Sequence, residues 1–430
     1  MERFAYPKLD ETVCRETLPN GLTLMVVPRQ GFSKRLAYFL TDFGSIHTHF
    51  SFEGQEYQVP AGVAHYLEHK LFDMPDGRDV SAEFAAMGAM TNAFTSYDMT
   101  AYYFSCMENF EDCLRLLLEF VSTPYFTEES VEKERGIIAQ EILMYADSAD
   151  SVVMEEMNAG LYQHHPIRVP IAGTVESIQD ITAQTLYDCH QAFYHPSNMV
   201  LCVVGDVDAD EVAAIAQEIL PKEKRSVAVP DFGPTEPETA VIPVSRREMD
   251  VAMTTFQLAF KCPPPSGGRE SAHQELVAEL AAEMLFGQSS QLYQWLYEDG
   301  LIDASFGGGQ EFTAGTAMLT CGGDSKDPEE VRNCILNEAR FLVENGLDPS
   351  AFERIKRSFL GIRFKDLTSF DATCYRLVAF HLENHDYFDF PALFEEVTIE
   401  EVRQFLADNV KAEKCSLSIV DPRGKLIIDN

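Results

Sequence analysis

The pentapeptide HYLEH, residues 65–69, has the residue types and the spacing of a metal site. On a helix, His65 and His69 lie one turn apart on the same face, so their imidazole rings can converge on one ion. Glu68 directly precedes the second histidine, where its carboxylate could act as a general base on water. A catalytic zinc ion usually has three protein ligands and one open position, so a third ligand is required.

The third ligand is expected on a second helical segment, EKERGIIAQEI, in which Glu134 and Glu141 are seven residues apart. This spacing places both carboxylates on one face of a helix, two turns from each other. From the spacing alone, either glutamate could bind the metal while the other orients a ligand through a hydrogen bond. The HxxEH pattern also arises by chance in long chains, and its two histidines would then be ordinary exposed helix residues.

Hydrophobic periodicity surrounds this motif with alternating strands and helices. The pattern predicts strands over 21–29, 35–45 and 198–208, a hairpin over 92–106, a helix over 60–73 and one long helix over 127–157. Residues 222–247 contain four prolines and no sustained periodicity, which is typical of a linker. The same order then recurs, because a predicted strand over 249–262 precedes a predicted helix over 271–287.

An overlay of two segments supports a duplication of the chain. When AHYLEHKLF is laid over AELAAEMLF, the positions of His65, Glu68 and His69 fall opposite Glu279, Ala282 and Glu283. The second segment therefore has no metal-binding set. We predict a zinc-binding α+β domain at 1–224, a linker at 225–246, and a non-catalytic α+β domain at 247–430.

Composition limits the classes of partner. The chain has 430 residues, 46% of them hydrophobic, which is enough for two cores. Its 69 acidic and 33 basic residues give a formal net charge of −36, which argues against nucleic-acid binding. No apolar run reaches the roughly 20 residues that span a bilayer, and the first residues lack a signal-peptide core. With ten scattered cysteines and no CxxC pair, we expect a cytoplasmic protein with reduced thiols and no membrane partner.

Five segments, in this order, resemble the insulinase–pitrilysin family of zinc peptidases, the inverzincins. They are AHYLEHKLF, GAMTNAFTSYDMTAYYF, EKERGIIAQEI, HHPIRVPIAGTVESIQDIT and FYHPSNMVLCVVGDVD. The resemblance is to the two-domain, processing-peptidase-like members. It implies an α+β fold of two homologous domains, each a mostly antiparallel sheet flanked by helices, that together form half of a clamshell.

The resemblance also implies roles for the residues of the motif. His65, His69 and Glu141 match the ligands of one Zn²⁺ ion per chain. Glu68 matches the catalytic base that activates a zinc-bound water as the nucleophile. Glu134 matches the supporting glutamate of the family, one heptad before the ligand.

The implied activity is that of a zinc-dependent endopeptidase that cleaves peptides or extended segments inside an enclosed chamber. Asn92 and Ala93 match the strand to which the family's substrates add through main-chain hydrogen bonds. For Asn92, an amide that satisfies a turn is an equally good explanation. The main alternative is a non-enzymatic scaffold or peptide-binding subunit of the same fold, and a metal-dependent hydrolase of other substrates is a third class.

The second half departs from the family pattern at two positions. Members that act alone usually have an arginine and a tyrosine there, which hold the substrate and stabilise the oxyanion. In this chain the positions fall at Tyr297 and near Asp303, and residues 271–330 contain no arginine. Tyr297 has no positive charge and Asp303 has the wrong sign for an oxyanion. We therefore expect a heterodimer of bacterial type, in which a homologous second subunit supplies these residues, with a homodimer or monomer as the alternative.

Overall fold

The computed structural model describes residues 1–424, and the chain divides into two compact units. Unit 1 consists of Met1–Ile142, Pro170–Phe232 and Arg363–Phe388. Unit 2 consists of Leu143–Val169, Gly233–Ile362 and the chain from Asp389 onward. Each unit is defined by which residues pack together, and each consists of three separate segments of the chain. The predicted continuous domains, 1–224 and 247–430, are a different kind of division and stay a prediction.

The strands of the described residues form three sheets. In chain order they are β1 (Glu2–Tyr6), β2 (Glu11–Thr17), β3 (Thr23–Pro28), β4 (Arg35–Thr41), β5 (His49–Phe52), β6 (Gln55–Gln58), β7 (Met90–Thr95), β8 (Thr100–Cys106), β9 (Met199–Gly205), β10 (Val229–Pro230), β11 (Val244–Met249), β12 (Thr255–Cys262), β13 (Gly307–Thr313), β14 (Thr316–Asp324) and β15 (Cys415–Pro422).

The helices lie between these strands. They are α1 (Val63–Lys70), α2 (Val80–Ala86), α3 (Phe110–Ser122), α4 (Glu128–Ala146), α5 (Ala149–Leu161), α6 (Ala183–Phe193), α7 (Ala209–Ile219), α8 (Gly268–Phe286), α9 (Gln291–Glu298), α10 (Pro328–Asn345), α11 (Pro349–Asp366), α12 (Phe370–Leu382), α13 (Phe390–Glu396) and α14 (Ile399–Asn409). Up to residue 424, none of them is long and apolar enough to cross a membrane.

The two large sheets are built on one plan. The sheet of unit 1 has the order β1-β2-β3-β9-β4-β8-β7, and that of unit 2 has the order β11-β15-β12-β14-β13. In each, one parallel pair, β3-β9 or β11-β15, is followed by three antiparallel pairings. Two helices precede the last strand of each plan, α1 and α2 before β7, α8 and α9 before β13. The predicted α+β fold of two related units is therefore confirmed.

The centre of the unit 1 sheet explains why this part of the sequence reads as a strand. All seven residues of β9, MVLCVVG, are buried between β3 and β4. Such valine-rich runs favour strands that are covered on both faces. Helix α1 packs into the same core through Val63 and Leu67. Gly62 directly precedes this helix as its N-cap and has a φ of +91°. A Cβ there would lie 2.5 Å from the carbonyl oxygen of Ala172, so only glycine fits.

Two predicted elements are wrong in extent. The predicted single helix over 127–157 is two helices, because Ser148 has an extended backbone and its hydroxyl accepts a hydrogen bond from the N–H of Ser151. This contact caps the start of α5 and ends the continuous helix. The predicted strand over 249–262 is too long, since β12 begins only at Thr255 and, of the residues before it, only Met249 lies in a strand, as the last residue of β11.

Candidate metal centre

Helices α1 and α4 bring the predicted metal-binding side chains together in unit 1. His65 and His69 lie one turn apart on α1, and their ring centroids are 4.6 Å apart. Glu134 and Glu141 lie two turns apart on α4. His65 is buried, and the other three side chains are half-buried. The two helices therefore hold nitrogen and oxygen donors in a partly dehydrated site.

The distances in this cluster fit zinc. Nε2 of His65 lies 3.6 Å from Oε1 of Glu141, and Nε2 of His69 lies 3.6 Å from Oε2 of the same carboxylate. Both distances are too long for hydrogen bonds. A zinc ion with tetrahedral bonds of about 2.1 Å separates its ligand atoms by about 3.4 Å. His65, His69 and Glu141 each offer one ligand atom within 4.8 Å of the others, so these three residues form a suitable set.

Glu134 lies on the other side of the His69 ring. Its Oε1 is 3.0 Å from Nδ1 of His69. An ionised carboxylate only accepts hydrogen bonds, so Nδ1 carries the hydrogen and the lone pair of Nε2 is available to a metal. Burial lowers the pKa of His69, but this hydrogen bond and the charges of Glu134, Glu68 and Glu141 outweigh it and raise the pKa. The same hydrogen bond lowers the pKa of Glu134.

Two further side chains of α1 bind it to α4, and the sequence pattern predicted neither contact. The hydroxyl of Tyr66 donates to the carbonyl of Val131. Nζ of Lys70 donates to the carbonyl of Ser130 at 3.4 Å and forms an ion pair with Asp73. Lys70 is only 1% exposed, and a buried ammonium group needs such partners. The sequence feature that could have indicated these contacts is a tyrosine and a lysine four residues apart, each directly after one of the two histidines.

Glu68 connects α1 to strand β7. Its Oε2 accepts a hydrogen bond of 2.6 Å from Oγ1 of Thr95, the last residue of that strand. Thr95 is a residue of the site that the sequence pattern did not predict. The available signal was its position two residues after Ala93, because alternate residues of a strand point to the same face.

Strand β7 also carries Asn92 and Ala93, and it lies at the edge of the unit 1 sheet. Asn92 is exposed, and its Oδ1 accepts a hydrogen bond of 2.9 Å from the N–H of Ala93. An edge strand turns every second pair of main-chain groups away from its neighbour. The N–H of Ser96, three residues further on, donates to the carbonyl of Met99 across the hairpin. Bonded and open positions alternate along the β7–β8 register, so the N–H of Ala93 is directed to the open edge and not to β8.

The two departures from the family pattern lie in unit 2. The ring of Tyr297 stacks on that of Tyr293, with centroids 6.1 Å apart, and Tyr297 is 52% exposed. The carboxylate of Asp303 accepts hydrogen bonds from the N–H and the hydroxyl of Ser305. Neither side chain provides a positive charge.

Comparison with known proteins places this chain in one family of peptidases. Residues 53–175 match the family model described as Insulinase (Peptidase family M16), and residues 180–359 match the model described as Peptidase M16 inactive domain. The chain belongs to the insulinase family, peptidase family M16. The resemblance of the five segments is therefore confirmed.

Individual relatives agree with the family models. The chain is 37% identical to the zinc protease YmfH of Bacillus subtilis, over 97% of this chain and 99% of that protein. It is 32% identical to an M16-like peptidase from Alicyclobacillus acidocaldarius, whose crystal structure matches with a TM-score of 0.92 over 97% of this chain and all of that one. A mitochondrial-processing peptidase subunit beta of Arabidopsis thaliana is 29% identical over 48% of this chain and 38% of its own length.

Proposed function

We propose that this chain is a zinc-dependent endopeptidase that cleaves peptides or extended segments. The observation that carries the proposal is the convergence of His65, His69 and Glu141 within 4.8 Å, with Glu68 on the same helix as the two histidines. Sequence similarity to proteins named zinc proteases supports zinc as the metal. Zinc, when bound, would polarise a peptide carbonyl and lower the pKa of a water ligand.

The side chains of the site then have separate tasks. His65, His69 and Glu141 would hold the ion. Glu68 takes a proton from the attacking water and passes it to the leaving amine, as a general base and then a general acid. Glu134 holds the ring of His69 through Nδ1, 3.0 Å away, and so keeps its other nitrogen directed at the metal.

The open edge of β7 is the proposed docking site for the peptide. An extended substrate would add to this edge through main-chain hydrogen bonds, and the N–H of Ala93 is one of the groups directed there. In the free protein the side chain of Asn92 satisfies that N–H. A substrate strand would displace this side chain, so Asn92 covers the edge until a peptide binds.

We further propose that a homologous second subunit completes the site and encloses the peptide in a chamber, with a homodimer as the alternative. The support is that Tyr297 and Asp303 provide no cation at the positions where the family usually has an arginine and a tyrosine. One relative is itself named as a subunit. The cytoplasmic location expected from the sequence belongs to this proposal.

Cleavage of a quenched fluorescent peptide library by the purified, zinc-loaded chain tests the proposed function. Glu68→Gln is the inactive variant, and Glu108→Gln, which changes an exposed glutamate, is the matched control. We expect wild type and Glu108→Gln to cleave, and Glu68→Gln to hold about one zinc ion without cleaving. Undiminished cleavage by Glu68→Gln, or failure of wild type to hold zinc, would contradict the proposal. A zinc-loaded wild type that cleaves nothing alone would require the second subunit.

A further inference from the structure

Thr95 forms the hydrogen bond that fixes one oxygen of Glu68. Its Oγ1 lies 2.6 Å from Oε2 of Glu68. An ionised carboxylate can only accept, so the hydroxyl donates and its hydrogen is used in this bond. A short bond of a hydroxyl to a charged acceptor is among the stronger kinds of hydrogen bond in proteins. Oε2 is thereby engaged, while Oε1 stays available to take a proton.

Thr95 lies opposite a buried threonine of β8. Thr95 pairs directly with Thr100 across the β7–β8 hairpin, and their hydroxyl oxygens are 3.4 Å apart. Thr100 is fully buried, and its own hydroxyl donates to the carbonyl of Phe43 at 2.8 Å. Its hydrogen is therefore not directed at Thr95. Both threonines are β-branched, which restricts the rotation of their side chains.

We infer that Thr95 is a positioning residue that sets the orientation of the Glu68 carboxylate. The terminal torsion of a glutamate is broad, so without a partner the carboxylate would rotate. A general base works only when its oxygen stays within hydrogen-bond reach of the proton that it takes. Because Thr95 ends β7, the strand whose open edge is the proposed docking site also orients the base. This inference rests on the proposed peptidase function.

The test compares Thr95→Val, which keeps the branched shape and removes the hydroxyl, with Thr95→Ser, which keeps the hydroxyl. We expect Thr95→Val to lower kcat by about 10- to 100-fold, the size of effect that misplaced groups produce. KM and zinc content should stay near the wild-type values, and Thr95→Ser should recover most of kcat. Thr91→Val is the matched comparison, because Thr91 lies on the same strand and its hydroxyl donates to the carbonyl of Tyr103 at 3.0 Å. It should lower kcat much less.

A second readout needs no activity. In the metal-free protein, the infrared carboxylate band of Glu68 is isolated as the difference between a protein and its Glu68→Gln counterpart. We expect this band to shift in Thr95→Val and to stay in place in Thr95→Ser. An unmoved band in Thr95→Val, or a loss of kcat that Thr95→Ser shares or Thr91→Val equals, would overturn the inference.

The two readouts separate this inference from the proposed function. If zinc-loaded wild type cleaves no peptide, alone or with a second subunit, the peptidase proposal fails, and the band of the metal-free protein still decides whether Thr95 orients Glu68. If Thr95→Val does not fold, the Glu68 carboxylate band and the kcat of Thr95→Ser test whether the Thr95 hydroxyl orients Glu68. A Thr95→Ser protein that folds and yet lacks the wild-type band would then overturn the inference.

Discussion

Oε1 of Glu134 lies 3.0 Å from Nδ1 of His69, on the side of the ring opposite to the nitrogen that faces Glu141. The two glutamates of α4 therefore lie next to the two different ring nitrogens of one histidine. Glu141 lies where a metal ligand is needed, and Glu134 lies where a hydrogen bond selects the tautomer. From the spacing alone these tasks were interchangeable. The geometry supports Glu141 as the proposed ligand.

Removal of the Glu134 carboxylate is expected to weaken zinc binding. In Glu134→Ala the His69 ring loses the acceptor that orients it, so the zinc affinity should fall by roughly 10- to 100-fold. Glu134→Gln keeps an acceptor oxygen and should lose less. Competition with a chromogenic chelator measures the affinity. Glu129→Ala, at an exposed position of the same helix, is the control, and an equal affinity for Glu134→Ala and this control would contradict the prediction.

Zinc is expected to stabilise the folded chain through Glu141. An ion that binds only the folded state adds about 2.7 kcal/mol when its concentration is 100 times Kd. Chelation should therefore lower Tm, and added zinc should restore it. In Glu141→Ala, which lacks one of the three proposed ligands, zinc should have little effect on Tm. Thermal unfolding followed by circular dichroism measures Tm of wild type and of Glu141→Ala, each with and without zinc. An equal zinc-dependent change in Tm for the two proteins would exclude Glu141 as a ligand.

Local features of the site could be predicted from the sequence because they depend on short-range periodicity. The i, i+4 spacing of His65 and His69 places both rings on one face of α1 wherever that helix packs. The hairpin over 92–106 follows from alternation, and it places Asn92 and Ala93 on β7. The break at Ser148 was missed, because both flanking segments favour a helix and only the cap separates them.

Contacts that depend on tertiary packing could not be predicted in this way. Thr95 and Glu68 are 27 residues apart, and no local pattern connects a strand end to a helix side chain. The membership of α12 in unit 1 and of α5 in unit 2 likewise follows from which sheet each helix covers. Helix α12 packs on β9 and β4, and α5 packs on β15 and β12. An amphipathic pattern predicts a buried face but does not name its partner.

Glu236 is a structural carboxylate that the sequence did not indicate. It accepts hydrogen bonds from the N–H groups of Gln163, His164 and His165 and from Nζ of Lys261. Burial raises its pKa, but these bonds outweigh burial and lower the pKa to about 2. The folded state therefore binds this proton more weakly than the unfolded chain. Its stabilising effect is present above about pH 4.5 and is lost as the pH falls towards 2.

Glu236→Gln is expected to lower the free energy of unfolding at pH 7 by about 2 kcal/mol. Lys261 would be left buried without a charged partner, which costs roughly 3–5 kcal/mol for a fully buried pair. The effect should be smaller here because the Glu236 side chain is 15% exposed. Urea unfolding at pH 7 and pH 4 measures the difference from wild type, which should narrow at the lower pH. Glu238→Gln, an exposed neighbour, should behave as wild type.

His190 is expected to make the protein less stable in mild acid. It is buried on α6, its Nε2 lies 3.0 Å from the carbonyl of Val121, and its ring stacks on Tyr194. A carbonyl only accepts, so Nε2 carries the hydrogen of the neutral ring. Burial lowers the pKa of His190 to about 4. Between about pH 6.5 and 4 the unfolded chain binds this proton and the folded protein does not. The free energy of unfolding therefore decreases as the pH is lowered through this range.

The variant His190→Gln separates this effect from other titrations. Its amide can still donate to Val121, but it cannot take a proton, so it should lack the part of the pH dependence that His190 contributes. From the size of the pKa shift, this part is on the order of 3 kcal/mol between pH 7 and pH 4. Urea unfolding at pH 7, 6, 5 and 4 measures it against His164→Gln, which changes an exposed histidine. If the curves of both variants run parallel to wild type, His190 binds its proton equally in the folded and unfolded states, and burial does not exclude the charged ring.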